Sequence, residues 1–84
     1  VLVVTRYPQP IAQEIMDKLG RGVTLFKAVG AYSGEDKEVV YCVVSRTQLS
    51  QVKGIIRQYD SHAFMSIIDV PEVVGEGFSP WRGH

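Results

Sequence analysis

Few residues in this chain are equipped for chemistry. Cys42 and His62 would supply a thiol nucleophile and its base if the fold joined them. Cys42, however, stands among Val39, Val40, Tyr41, Val43 and Val44, where a thiol is ordinarily inert apolar filler. His62 and His84 fall short of the three or four ligands that a metal site requires at ordered spacings. Asp60 and Asp69 lack a carboxylate partner for acid–base work. Gly20-Arg21-Gly22 has the glycines of a phosphate loop, but they follow a helical pattern instead of opening one. That triplet therefore reads as a helix stop and a turn. No catalytic residue, metal or cofactor is assigned, and a binding module is expected in preference to an enzyme.

Two glycine clusters are better suited to holding a ligand. Gly30, Tyr32 and Gly34 alternate near the end of an apolar run, and strand glycines mark bulges or close approach of another group. Gly75-Glu76-Gly77-Phe78 pairs two glycines with an aromatic, so backbone N–H groups lie open to an anion beside a stacking surface. The candidate ligand-binding residues are Gly30, Tyr32, Gly34, Gly75, Gly77 and Phe78. The competing reading has every one of these glycines serving a turn.

Positioning these residues falls to six elements. Val1–Thr5 is a short β-branched run, broken by Tyr7-Pro8-Gln9-Pro10. Ile11, Ala12, Ile15, Met16 and Leu19 make one buried helical stripe, with Glu14 and Lys18 spaced to pair and Gly20 as the stop. Two apolar runs, about 23–32 and 37–45, flank a polar break at Ser33-Gly34-Glu35-Asp36 and read as one long hairpin. Thr47 is the expected N-cap of a second helix, whose stripe is Leu49, Val52, Ile55, Ile56 and Tyr59. Gly54 inside it suggests a close neighbour. Ala63–Val70 is the fourth strand.

The order β-α-β-β-α-β, with right-handed crossovers, predicts an α+β ferredoxin-like plait: a four-stranded antiparallel sheet with two helices on one face. Strand three is apolar on both faces, as is most of strand four (Phe64, Met65, Ile67, Ile68). A second apolar face calls for cover, either by the tail folding back or by self-association, and the latter is expected.

Bulk properties agree with a small module. The 84 residues make a single domain over 1–84, with 79–84 a tail that is a candidate for disorder. Nine basic and nine acidic residues cancel, which argues against nucleic acid as a partner. The single cysteine rules out an internal disulfide. No apolar run reaches the ~18 residues of a membrane span and no signal peptide is evident. A start at Val1 reads as a fragment of a longer chain.

Arg21-Gly22-Val23-Thr24, Gly30-Ala31-Tyr32-Ser33-Gly34, Val43-Val44-Ser45-Arg46, Asp60, Ala63-Phe64 and Val73-Val74-Gly75-Glu76-Gly77-Phe78 together resemble the C-terminal domain of YitT-type bacterial membrane proteins. The resemblance runs from Ile11 to Phe78 and concerns a family of unknown function. It implies a domain on the cytoplasmic side of the inner membrane, following a transmembrane N-terminal part. It also implies similarity to PII signalling proteins, trimeric plaits that bind nucleotides between subunits. The loop after strand two is only a few residues here, far shorter than in PII proteins. The expected partners are a second copy of the chain (a dimer or trimer), the N-terminal transmembrane part and a small anionic ligand. The expected function is ligand sensing with oligomerisation; the alternatives are a pure assembly domain and, less favoured, a small enzyme.

Overall fold

A computed structural model describes residues 1–75, 77, 78, 80 and 81. The expectations resting on Glu76, His84 and most of the tail 79–84 lie outside the described residues.

The elements follow the predicted order: β1 (Leu2–Val4), α1 (Pro8–Leu19), β2 (Val23–Val29), β3 (Asp36–Cys42), a 3₁₀ turn (Arg46–Gln48), α2 (Leu49–Tyr59) and β4 (Phe64–Ser66). The sheet order is β2-β3-β1-β4 and every neighbouring pair is antiparallel. This is the ferredoxin-like plait.

Alternation along the strands separates two faces. Val3, Val40 and Cys42 point toward the helices and pack with Ile11, Ile15, Val52, Ile55 and Ile56 in the core. On the other face the register aligns Phe26, Val39, Val4 and Phe64 in one row across all four strands. Beside it lies a row of Thr24, Tyr41, Leu2 and Ser66. Phe26 and Phe64 remain 47% and 67% exposed, so the second face is apolar and largely open. Phe26 leans on Tyr41 diagonally across the pair, ring centroids 5.5 Å apart.

Several boundaries differ from expectation. α1 begins at Pro8, because Pro8 and Pro10 sit in the first turn, where a missing N–H costs nothing. Met16, assigned to the buried stripe, is 38% exposed. β2 stops at Val29, not Tyr32, because Gly30 pairs with Glu35 and the intervening residues turn. β4 covers only Phe64–Ser66: Ser66 already faces Leu2, the first residue of β1. Ser45, not Thr47, takes the N-cap position before the 3₁₀ turn, and Gln48 reaches back to accept the Ser45 N–H at 3.1 Å. A Cβ on Gly54 would meet nothing within 4 Å, so no close neighbour explains that glycine.

Other local readings hold. Gly20 closes α1 in the left-handed conformation, φ 64°, its N–H on the Met16 carbonyl at 3.0 Å. Lys18 pairs with Glu14 at 2.9 Å, and the Tyr59 hydroxyl donates to the other Glu14 oxygen at 2.6 Å, joining α1 to α2.

Candidate functional site

The two glycine clusters lie at opposite ends of the sheet. Gly30, Tyr32 and Gly34 form the tip of the β2–β3 hairpin, beyond the C-terminal end of β2. There the Gly34 N–H donates to the Gly30 carbonyl at 2.7 Å and the Gly30 N–H to the Glu35 carbonyl at 2.9 Å. Gly34 has φ +73°, and a Cβ on Gly30 would come within 2.8 Å of Ser33 Oγ. Both glycines are thus required by the turn itself. Tyr32 is fully exposed at the tip.

Gly75, Gly77 and Phe78 pack instead beside the residues that precede β2. Arg21 Nη1 donates to the Gly77 carbonyl at 2.6 Å, and the Arg21 guanidinium lies 4.1 Å from the Phe78 ring centroid. The eleven residues from Arg21 to Tyr32 put about 30 Å between the clusters if the chain stays near strand extension. Within one chain they do not meet.

Arg21, set aside in the sequence as part of a turn, is the hub of this second cluster. Its Nε donates to Gln48 Oε1 at 2.9 Å. Gln48 Oε1 also accepts the Ser45 N–H, and Gln48 Nε2 donates to the Leu19 carbonyl at 3.3 Å. One glutamine therefore ties the end of α1, the β3–α2 connection and Arg21 together. An arginine placed between the helix-terminating Gly20 and Gly22 is the signal available in the sequence; the partner 27 positions away is not.

A cavity of about 410 Å³ opens beside this hub, lined among others by Thr24, Tyr41, Val74 and Gly75. Its described lining includes Arg21, Thr24 and Tyr41 and no acidic residue. A larger cleft of about 850 Å³ lies at the opposite end of the sheet, where the hairpin overhangs β1. It mixes Arg6, Lys27 and Lys37 with Glu35, Asp36, Glu38 and Asp60, so its charges largely cancel.

The remaining reactive candidates are held apart or already used. Cys42 is 1% exposed and pairs with Val1 at the start of β1, and burial pushes its thiol pKa up. His62 follows the turn that contacts Thr5 and Arg6, about 15 Å away along the extended residues 1–5. Both Asp60 oxygens are engaged: Oδ2 by the Thr5 hydroxyl (2.7 Å) and Arg6 N–H (3.1 Å), Oδ1 by the His62 N–H (3.0 Å). The Thr5 hydroxyl is the main cause that holds this carboxyl below the usual aspartate range. Asp60 is a clamp between β1 and the α2–β4 turn. Asp69 is exposed, with Arg46 at 3.7 Å. No group of three metal-ligating side chains occurs among the described residues.

A ferredoxin-like plait with no assembled reactive constellation among its described residues defines a class, not an activity. The chain belongs to the family described as "Uncharacterized protein conserved in bacteria (DUF2179)", which matches residues 21–75. It is 39% identical over 77 residues to the UPF0750 membrane protein YvjA of Bacillus subtilis (strain 168), covering 92% of this chain and 27% of that protein. It is 44% identical over 69 residues to YpjC of the same organism (82% and 24% covered), and 31% identical over 74 residues to YitT (88% and 26%). The chain thus spans about a quarter of the length of these membrane proteins, and it matches the C-terminal domain of the YitT type. A crystal structure of a DUF2179 protein from Eubacterium ventriosum superposes with a TM-score of 0.65 at 33% identity, over 75% of this chain and 86% of that one. No helix among the described residues is long and apolar enough to cross a membrane.

Proposed function

We propose that this domain is a non-catalytic regulatory module on the cytoplasmic side of a UPF0750-type membrane protein, working by self-association and by binding a small anionic ligand. The observation that carries the reading is the row Phe26–Val39–Val4–Phe64 on a sheet face that no helix covers. A folded chain gains by burying such a row against a second copy, in a dimer or a PII-like trimer. The ligand site joins the tip residues Gly30, Tyr32 and Gly34 of one copy to Gly75, Gly77 and Phe78 of a neighbour, since the fold separates them within a chain.

A thermal-shift screen with nucleotides, cyclic dinucleotides and amino acids tests ligand binding. A true ligand at a hundred times its Kd adds about 2.7 kcal/mol, several degrees for a domain this small. The affinity of any binder is then measured for Tyr32→Ala and for a chain ending at Val74. Unchanged binding by folded, associated variants would place the site elsewhere, and an empty screen would favour a pure assembly domain.

A further inference from the structure

Arg21 is held as a binding residue would be. Gln48 fixes its Nε edge, so the guanidinium has a set direction, and two consecutive tail residues meet its Nη1 and its face. The Gly77 carbonyl occupies Nη1 and the Phe78 ring covers the planar face. A carbonyl meets the guanidinium through one neutral oxygen; an oxyanion adds the opposite charge and a bidentate geometry that matches the fork. The adjoining cavity is lined by Thr24 and Tyr41, two residues that carry hydroxyl groups, and among its described lining by no acid that would repel an anion.

The tail can leave at little cost. None of residues 73–75, 77 and 78 belongs to the buried core. Gly75 and Gly77 carry φ of +139° and +84°, so the segment turns at positions only glycine adopts readily. A Cβ on Gly77 would come within 3.0 Å of Arg21 Nη1. Gly77 is therefore fitted to this arginine, both in backbone conformation and in closeness of approach.

We propose that Arg21 is the anion-recognition group of this domain, and that residues 77–78 are an internal stand-in displaced by a phosphate-bearing ligand. Phosphate is the fitting class because the cavity offers several donors and phosphate has several acceptor oxygens. The inference rests on the ligand-sensing reading above with one change: Gly77 and Phe78 hold the site closed instead of contacting the ligand, so a chain ending at Val74 should bind more tightly, not less. Binding at Arg21 frees the segment after Val74, so occupancy is converted into release of the tail.

The test is an NMR titration of the whole chain with sodium pyrophosphate, against sodium chloride at matched ionic strength. Saturable shifts are expected at Arg21 Nε and at the Gly75 and Gly77 amides. Arg21→Gln should weaken binding at least tenfold. Arg21→Lys, which keeps the charge and is the safer variant for folding, should lose most of the affinity with the bidentate fork. Gly77→Val opens the latch while leaving Arg21 in place, and should tighten binding about fivefold by removing the competing occupied state. Saturable shifts confined to the hairpin tip or the overhang cleft would overturn the Arg21 assignment while leaving ligand sensing intact. Absence of saturable shifts, full affinity in both Arg21 variants, or weaker binding by folded Gly77→Val would each overturn it as well.

Discussion

Asp60 spends its carboxylate on three donors from two segments, and this makes the fold acid-sensitive. A carboxyl with a depressed folded-state pKa contributes stability that is present above its unfolded value and lost as pH falls through the folded one. Asp60 is of this kind, as is Glu14, whose pKa the hydrogen bond from Lys18 lowers most. Tyr59 is the reverse: donating to Glu14 raises its pKa, so its contribution is present at lower pH and lost as pH rises through the folded value. Stability should therefore be flat from about pH 5 to 9 and fall on both sides. Urea unfolding across pH 2–11 checks this. Asp60→Asn should lower the plateau and flatten the acid limb; an acid limb as steep as wild type would show that other carboxylates govern it. Cys42, by contrast, is packing. Cys42→Ala should cost about 1–2 kcal/mol of stability and leave any biological activity unchanged. Rapid labelling of the native thiol would contradict its burial.

At the level of elements, Gln48 joins pieces that periodicity treats as separate. Gln48→Ala removes the acceptor for Ser45 and Arg21 and the donor to Leu19, and should cost about 1–3 kcal/mol, read from the urea midpoint. Amide exchange should quicken at Ser45 and in the segment 73–78 together. Exchange that changed at Ser45 alone would mean the tail does not depend on this residue. These links also mark what the sequence can disclose. The helical stripes, the hairpin and the Gly20 stop were legible because each is written in local spacing. The end of β4 was not, because it depends on how much of β1 is there to pair with it. The start of α1 was misread because proline breaks a strand yet suits a first helical turn. Arg21 reads as part of a turn because its partners, Gln48 and Gly77, are distant in sequence and meet only through the topology. The tip glycines were visible as a cluster, but the tight turn accounts for Gly30 and Gly34 without a ligand.

Across the whole molecule, more large apolar side chains stay exposed than so short a chain can readily tolerate. Phe26, Phe64, Ile67, Ile68 and Val70 are each at least 47% exposed. The radius of gyration, 13.8 Å, exceeds the roughly 12 Å typical of 84 residues. Strand three carries neighbouring valines with opposite fates: Val40 is fully buried, whereas Val39 lies in the open row. Val39→Asp should leave the fold intact and yield a monomer, while Val40→Asp should unfold the domain. Light scattering with circular dichroism distinguishes them. A wild-type particle that stays at 9.4 kDa over a concentration series would remove the case for self-association.

The placement of β1 also has a mechanical side. It is a central strand, hydrogen-bonded on one side to β3 and on the other to β4, and Val1 just ahead of it exchanges bonds with Cys42 at 2.9 and 3.1 Å. Tension applied ahead of Val1 along the strand loads both ladders in shear, so many bonds must fail together. Tension applied through the tail peels the Arg21 latch one bond at a time. Pulled from its two ends in a single-molecule trap, the domain should yield first at the tail, at low force, and lose β1 only in a second, much larger rupture. The end that enters the sheet is the stiff handle, and the end that leaves it is the compliant one.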